Sequence, residues 1–305
     1  MSKIQKALKK IKGAHAVDAG TAEKNLGSED PIIVAKVVDR GKKETTYDVS
    51  DKCLHVDNDA LRKAGLIAPE YHEQLLANQY RDIKRPLIAH AFGKHATKID
   101  DGNLIMVTSA LSGEGKTFTS INLALSMAHE RDKSVLLVDA DVARPHTSEM
   151  FGASDELGLL DVLENPDIPI QSLILPTDVN NLSVLPAGNP RQHSTELLAS
   201  AAMEDVCKTI SRRSDGQIVI FDSPPLLQTS EAKVLASLAG QVVIVVRAEE
   251  TSQDAVADAL ATLDDGKSVN LVLNQVRKGF GHYQYGYGYG YGYGSVGRNG
   301  SNEQK

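Results

Sequence analysis

Continuous runs of apolar residues alternate with helical stretches through the middle of the chain. Intervals such as SINLALSMAHE, STELLASAAMEDVCKTI and SQDAVADALATL show apolar residues at helical spacing. Apolar strands without polar alternation are buried on both faces, and strands separated by helices pair in parallel. We therefore predict a doubly wound, mostly parallel α/β domain over residues 101–277. Its predicted strands lie at 104–108, 135–138, 183–185, 218–221, 242–246 and 269–273.

The first thirty residues form a separate basic segment. Apolar residues recur at helical spacing between Ile4 and Ile11, among five lysines, which predicts a short amphipathic helix. The pattern fits contact with an anionic membrane surface or an acidic partner helix. It fits equally well a terminal helix that rests on the body of the protein. Residues 13–30 are small and polar and are predicted to be a linker.

Residues 31–100 are predicted to be an N-terminal extension with a helical interface region. The tracts PIIVAKVV and TTYDVS have β-type character, and from Asp59 to His90 the pattern is helical. Asp100–Gly102 marks the boundary with the core. After the core, residues 278–305 are rich in Gly, Tyr, Asn and Ser, and this tail is predicted to be disordered.

Composition excludes several classes of protein. The net charge of −7 argues against a general nucleic-acid binder, which normally carries a basic surface. Cys53 and Cys207 have no metal-ligand spacing, so no disulfide framework or zinc site is predicted. The N-terminus lacks the features of a signal peptide, and the longest apolar runs are far short of the ~20 residues that span a bilayer. These observations predict a cytoplasmic protein that reaches a membrane only through a surface or a partner.

A glycine-rich tract joins the first predicted strand of the core to its first helix. ALSGEGKT, from Ala110 to Thr117, matches G-x-x-x-x-G-K-[ST] except at the first position, where alanine replaces glycine. Backbone N–H groups of such a loop converge on phosphate oxygens at a helix N-terminus. A chance glycine-rich turn fits the strand–loop–helix context poorly, and a dinucleotide fingerprint would need a third glycine. The predicted nucleotide contacts are Ser112, Gly113, Glu114, Gly115, Lys116, Thr117 and Phe118.

Acidic residues end two of the predicted strands. Asp139 and Asp141 lie two apart in VLLVDADVARP, so on an extended segment they face the same way, and Asp222 closes IVIFDSPP. Each alone is also typical of a helix cap. Together with the glycine-rich loop they predict a site for ATP and Mg²⁺ at the carboxyl ends of the strands. The predicted metal ligands are the Thr117 hydroxyl and the three carboxylates.

The last two predicted strands also end in polar residues. Arg247 follows the run at 242–246, and Asn274 follows the run at 269–273. At this end of an open α/β sheet both are predicted to contact the nucleotide base. A surface charge and a strand cap are equally consistent alternatives.

ALSGEGKT, VLLVDADVARP and IVIFDSPP, in this order and at these intervals, resemble the motifs of the bacterial tyrosine kinases of exopolysaccharide synthesis. The tracts SKIQKAL, QYRDIKRP, GLLDVL and TELLAS are similar to those of the exosortase-associated tyrosine autokinases within that family. The resemblance covers residues 78–277 and the tail. It implies a P-loop NTPase core of the MinD/ParA type and a cytoplasmic ATP-dependent tyrosine kinase that autophosphorylates between subunits.

The same resemblance implies partners. They are further copies of the chain, in a homo-oligomer that can be ring-shaped, and a membrane-spanning chain-length regulator that recruits and activates the kinase. A protein-tyrosine phosphatase and a location peripheral to the inner membrane are implied as well.

Three places depart from the family's pattern. The motif E-x-x-R-x-x-R, which helps to build the ring, is represented here by Asn78, Arg81 and Lys84. Ala143 stands where the family commonly has the first of two arginines before proline. Leu111 stands where MinD/ParA-type ATPases carry an additional lysine, which weakens that alternative.

The predicted reaction transfers the γ-phosphoryl group of ATP to a tyrosine hydroxyl. An unperturbed phenol has a pKa near ~10, so a carboxylate must take its proton as the new bond forms. We predict that Asp139 is this base or the metal ligand nearest the nucleophile, and that Asp141 and Asp222 hold Mg²⁺. Lys116 and the loop amides are predicted to stabilise charge on the transferred group.

The tail contains the predicted acceptors. It reads YQYGYGYGYGYG, and the alternating glycines leave each tyrosine free to enter a site as an extended strand. At ~3.3 Å per residue the tail reaches a neighbouring subunit, and each phosphate adds about −1.5 to −2 charges. The alternative for this tract is low-complexity filler. The predicted acceptors are Tyr283, Tyr285, Tyr287, Tyr289, Tyr291 and Tyr293.

Two other functions explain part of the pattern. A MinD/ParA-like ATPase switch, which controls partner or membrane association without kinase activity, explains the three motifs but not the tyrosines. A scaffold whose Gly–Tyr tail self-associates explains the tail and gives the nucleotide only a structural role. Phosphate incorporation on tyrosine separates both from the kinase.

Overall fold

The strands predicted from apolar runs form one sheet. A computed structural model describes residues 52–67, 73–93 and 98–276 of the chain. Within them seven strands are ordered β3-β4-β2-β5-β1-β6-β7, and every neighbouring pair is parallel except β3 with β4. The strands are β1 Leu104–Ser109, β2 Ser134–Asp139, β3 Leu175–Pro176, β4 Leu182–Leu185, β5 Gln217–Asp222, β6 Gln241–Arg247 and β7 Ser268–Asn274.

All six predicted strands are confirmed, and the doubly wound, mostly parallel fold is confirmed with them. The sequence analysis missed β3, which has only two residues and ends in proline. A strand this short leaves no readable periodicity. It lies antiparallel to β4 and is an edge of the described sheet.

The helices connect successive strands. The predicted helix over 194–210 is two helices, because Ser200 adopts an extended conformation that begins the second one. The helical pattern of 59–90 likewise divides into two helices. The helices are α1 Asn58–Lys63, α2 Glu73–Phe92, α3 Lys116–Ala128, α4 His146–Met150, α5 Leu159–Glu164, α6 Ser194–Leu198, α7 Ala201–Ser211, α8 Ser230–Leu238 and α9 Gln253–Leu260.

The sheet separates two apolar clusters, one on each face. Alternate residues of a strand point to opposite faces, so Met106 of β1 joins the first cluster while Ile105 and Val107 join the second. All three side chains are fully buried. This two-sided burial is the reason why the central strands are continuously apolar in sequence.

Part of the N-terminal extension packs against the same core. Tyr80 and Leu87 of α2 are buried in the second cluster, together with Leu54. The backbone N–H of Leu54 donates to Pro176 O at 2.8 Å, so the segment Lys52–Asp57 lies against β3. The predicted basic helix, the linker, the patches PIIVAKVV and TTYDVS and the tyrosine tail lie outside the described residues.

No helix in the described part of the chain combines the length and apolar character that a bilayer crossing requires.

Candidate active site

The glycine-rich loop joins β1 to α3, as predicted. Gly113 and Gly115 have φ angles of +85° and +94°, a region that favours glycine. A Cβ at Gly115 would stand 2.0 Å from Nδ2 of Asn274, the last residue of β7. That Nδ2 donates to Glu114 O at 2.9 Å. Asn274 therefore holds the loop in place from the end of β7, and only a glycine at position 115 leaves room for the Asn274 side chain.

The Glu114 side chain is turned into the protein. Its carboxylate accepts from the backbone N–H of Leu111 at 2.6 Å and from the Thr251 hydroxyl. The N–H of Arg247 also points at it, at 3.5 Å. Glu114 is only 2% exposed, so it closes the loop on itself and ties it to the chain after β6. Glu114 was predicted to contact the nucleotide, and only its backbone N–H remains available for that contact.

Helix α3 presents a free N-terminus at the loop. Gly115 caps it without a side-chain hydrogen bond, so the first N–H groups of this thirteen-residue helix keep their capacity to bind an anion. Lys116 begins the helix and is largely buried. Its charge opposes the rise in the pKa of both Asp141 and Asp222, which places a cation between the loop and the acidic strand ends.

The acidic residues meet where two central strands end. Asp139 of β2 and Asp222 of β5 are register partners, and the N–H of Ala140 donates to Asp222 O at 2.8 Å. Asp139 and Asp222 are buried, whereas Asp141 is half-buried. The structure thus brings the three predicted acids together beside the loop.

Two adjacent hydroxyl groups hold the buried carboxylates, and the sequence analysis missed both. Thr147 Oγ1 donates to Asp222 Oδ2 at 2.8 Å. Ser148 donates to Asp139 Oδ2 from both its N–H and its Oγ, each at 2.7 Å. Both residues lie in α4, directly after the acidic motif. Pro145 followed by polar residues signalled a helix start there, but nothing local signalled the partners.

Burial dominates the electrostatics of the acids. It raises the pKa of Asp139 well above the ordinary value, and the neighbouring Asp222 charge raises it further against the hydrogen bonds of Ser148. Burial also raises the pKa of Asp222, opposed by the hydroxyls of Thr147, Thr117 and Ser120. Two buried carboxylates side by side favour a proton or a cation between them.

The donor set fits Mg²⁺. Asp139 Oδ1 is buried without a hydrogen-bond partner among the described residues, although a buried carboxylate oxygen normally has one. Carboxylate and hydroxyl oxygens are ligands that Mg²⁺ accepts, and it commonly uses one or two carboxylates together with substrate phosphates. Among the described residues no group of three or more His, Cys, Asp or Glu side chains is placed to hold a metal ion by itself, so the predicted set of three carboxylate ligands stays a prediction.

The remaining predicted contacts surround this centre. Arg247 pairs through Nη2 with Glu250 Oε1 at 2.9 Å, and its guanidinium is 37% exposed. Arg144, which follows the second acidic residue, donates to Ser112 Oγ at 3.3 Å and thereby reaches the rim of the loop. Contact of Arg247 or Asn274 with a base stays a prediction.

A third buried aspartate, Asp161, holds the loop that contacts Ser148. Asp161 of α5 accepts from the N–H groups of Gly158 and Asn189 and from Arg191 Nη2, at 2.8, 3.1 and 2.8 Å. The loop that it binds also donates from Ala187 N to Ser148 Oγ at 2.9 Å. The GLLDVL tract therefore stabilises the loop that holds the Asp139 partner.

A glycine loop at a helix N-terminus, a buried lysine and two acidic strand ends define a P-loop nucleotide-binding domain. The model of the AAA domain family matches residues 102–275. Tyrosine-protein kinase YwqD of Bacillus subtilis (strain 168) is 31% identical over 203 residues, which are 67% of this chain and 81% of that protein. The chain belongs to the bacterial tyrosine kinase family.

Two further relatives differ in how much of their length is matched. Tyrosine-protein kinase wzc of Salmonella typhi is 33% identical over 186 residues, 60% of this chain but only 25% of that longer protein. The solved kinase domain of Escherichia coli tyrosine kinase ETK superposes with a TM-score of 0.56 at 25% identity. The match covers 69% of this chain and 80% of that domain.

Proposed function

We propose that the chain is an ATP- and Mg²⁺-dependent protein-tyrosine autokinase that phosphorylates its C-terminal tyrosines between subunits and thereby regulates exopolysaccharide synthesis, chain length or export. One observation carries the proposal. Two buried acids, one with an oxygen that has no hydrogen-bond partner among the described residues, stand beside a P-loop whose helix has no side-chain cap. That arrangement suits phosphoryl transfer, which depends on positioning and charge stabilisation. Membership of the tyrosine kinase family supports tyrosine as the acceptor.

In the proposed reaction the phenolic oxygen attacks the γ-phosphorus of ATP. A new oxygen–phosphorus bond forms while the bond to the β,γ-bridging oxygen breaks, and ADP leaves with that electron pair. Thr117 and the carboxylates of Asp139, Asp141 and Asp222 would hold Mg²⁺, which would supply charge neutralisation on the phosphate oxygens. Lys116 and the N–H groups of the loop and α3 stabilise the transferred group. The phenolic proton passes to a carboxylate.

The three acids differ in how an entering phenol can reach them. Asp139 is predicted to be either the base or the ligand nearest the nucleophile, and its complete burial favours the ligand role. Asp141 is half-buried, so a phenol can reach it, and its pKa is raised, chiefly through burial, which makes it a stronger base than an ordinary aspartate. The Thr117 hydroxyl counteracts the rise in the pKa of Asp222, so the two proposed metal ligands lie close together.

The tail supplies the proposed acceptors. Tyr80 is the one tyrosine in the described part of the chain, and it is only 4% exposed. Burial raises the pKa of its phenol well above the ordinary value, so it is a poor acceptor. Six of the nine tyrosines lie between Tyr283 and Tyr293, in the tail.

The proposed partners are further copies of the chain, a membrane-spanning chain-length regulator that activates it, and a protein-tyrosine phosphatase. This places the protein in the cytoplasm, peripheral to the inner membrane. In the helix expected at the ring interface, Lys84 is engaged within the chain, with Ser126 O at 2.6 Å and Glu130 at 2.8 Å. Arg81 and Asn78 of the same helix are both exposed, and Arg81 donates to Asn78 Oδ1 at 2.9 Å, so a neighbour can reach this pair.

The test is phosphate incorporation on tyrosine. Purified full-length chain is incubated with ATP and MgCl₂, with and without the cytoplasmic segment of the membrane partner, and tail peptides are analysed by mass spectrometry. We expect labelling of the tail, loss of labelling in Lys116→Met, and full labelling in Lys208→Met, which removes an exposed lysine of α7. ATP hydrolysis without any phosphotyrosine, even with the partner segment, would overturn the kinase in favour of an ATPase switch.

A further inference from the structure

The outer side of β7 is an open sheet edge lined by apolar side chains. β7 pairs with β6 on one side and with no described strand on the other. Leu271 and Leu273 are 57% and 60% exposed, although Leu271 is the register partner of Ile244, which is fully buried. Leu271 and Leu273 thus lie on the same face of the sheet as the first core cluster, but outside the area that the helices cover.

The opposite edge of the sheet is treated differently. There the segment Lys52–Asp57 lies against β3, with Leu54 N donating to Pro176 O at 2.8 Å and Asp178 N donating to Leu54 O at 3.0 Å. Open edges with free N–H and C=O groups invite pairing with other chains, and proteins usually cover them. The segment Lys52–Asp57 therefore covers the β3 edge of the sheet. The C-terminal tail follows β7, the strand at the other edge.

The tail that follows β7 has the periodicity of a strand. Gln275 has a φ of +58°, so the chain turns as soon as β7 ends, and Val276 is 49% exposed. From Tyr283 to Tyr293 every second residue is tyrosine. In an extended strand all six rings would lie on one face and the glycines on the other, at the same spacing as Leu271 and Leu273. Aromatic side chains opposite aliphatic ones stabilise strand pairs.

We propose that Tyr283–Tyr293 pairs as an antiparallel strand with the outer edge of β7 in the same chain, with its rings over Leu271 and Leu273. The eight residues 275–282 form the return. An antiparallel strand runs away from the loop end of the sheet, where Asn274 supports the P-loop. Docking therefore fixes the tyrosines along the edge of the sheet, each later one farther from the acidic strand ends. It limits autophosphorylation, and the tail must leave β7 before it is phosphorylated.

Charge around β7 makes the docking sensitive to phosphorylation, a step that rests on the proposed function. Helix α9 packs on the same face through Ala259 and carries the exposed Asp254 and Asp258. Asp264 and Asp265 precede β7 next to Lys267, and Arg247 is the register partner of Asn274 at the other end of the strand. Phosphates on the tail would be repelled by these carboxylates, and the phosphorylated rings would lose their contact with Leu271 and Leu273. Phosphorylated tails are therefore expected to stay undocked.

Hydrogen exchange of the full chain without nucleotide tests the docking. We expect edge amides of 268–274 and amides of 283–293 to exchange about tenfold slower in the wild type than in Leu271→Asp/Leu273→Asp, since several strand pairs are lost. Replacing all six tail tyrosines by serine should have the same effect without touching the described fold. Replacing them by phenylalanine keeps the rings and should retain protection, as should Leu75→Asp, which alters an equally exposed leucine of α2.

Three results would overturn the proposal. They are tail amides that exchange at free-peptide rates in the wild type, protection that survives Leu271→Asp/Leu273→Asp, and protection that rises with protein concentration, which assigns the tail to a second copy. Labelling separates this proposal from the kinase. We expect Leu271→Asp/Leu273→Asp to raise the initial rate of tail labelling severalfold. Protection of the tail without any phosphate incorporation would overturn the proposed kinase function and would still support docking of the tail on β7.

Discussion

Strands β5 and β7 both end at the P-loop, yet they are built in opposite ways. All six residues of β5 are buried, and it ends in Asp222, whose carboxylate accepts from Ser120 at 3.0 Å and from Thr147 at 2.8 Å. β7 ends in Asn274 and leaves Leu271 and Leu273 more than half exposed.

The difference follows from their places in the sheet. A central strand has no free backbone groups, so its contribution to a site is the charge at its end, and that charge is stable only when hydroxyl groups bind it. An edge strand keeps one row of backbone groups free and contributes a surface instead. Changes at the centre are therefore expected to affect chemistry and stability strongly, and changes at the edge weakly.

The largest expected effect is on the charge at the end of β5. Asp222→Asn keeps the shape of the side chain but removes a predicted metal ligand, and should lower the rate of tail labelling by roughly a hundredfold or more. Rates at saturating ATP and varied Mg²⁺ measure the loss. Asp205→Asn, on the exposed face of α7, is the control and should keep the wild-type rate. A wild-type rate in Asp222→Asn would remove this residue from the site.

The hydroxyl that holds this charge comes next. Thr147→Val preserves the volume but removes the hydroxyl that donates to Oδ2 of the buried Asp222, and should lower the free energy of unfolding by about 1–3 kcal/mol. Thr147→Ser retains the donor and should lose less than about 1 kcal/mol. Urea denaturation of both variants measures the difference. Equal losses would mean that the hydrogen bond contributes nothing.

The buried charge also predicts the sign of a pH effect. The pKa of Asp139 is raised in the folded chain, so the folded state holds a proton that the unfolded state has already released. The stability of the metal-free protein should therefore fall as pH rises above the ordinary pKa of 3.8, and Asp139→Asn should make this fall shallower. Urea midpoints at several pH values test this.

Glu130→Gln is the matched control of opposite sign for this pH effect. The ammonium of Lys84 lowers the pKa of Glu130, so its contribution is present above the ordinary pKa and is lost as pH falls. An unchanged pH profile in Asp139→Asn would contradict the assignment.

The smallest expected effect is at the edge. Leu271→Ala removes a side chain that is 57% exposed, and should cost about 1 kcal/mol or less. Its register partner Ile244 is fully buried in β6, and Ile244→Ala should cost about 2–5 kcal/mol. The same denaturation experiment measures both. Equal costs would erase the distinction between centre and edge.

Much of the architecture was predictable because its signals are local. Six strands were predicted from apolar runs, which in the central strands reflect burial on both faces of the sheet. The loop and the acidic strand ends were predictable because phosphate binding demands particular residues at short, regular spacings. β3 was not, because two residues leave no period, and the break at Ser200 was hidden within a continuous helical pattern.

The sequence by itself determined the strand order along the chain, the glycine loop, the three acids and the alternating tyrosines, because each is written in neighbouring residues. Only the tertiary structure decided what those residues touch. Thr147 and Ser120 reach Asp222 across 75 and 102 positions of the chain, and Glu114 reaches Thr251 across 137. Which strand lies at the open edge was likewise decided by the order of pairing, since β7 is as apolar in sequence as a buried strand.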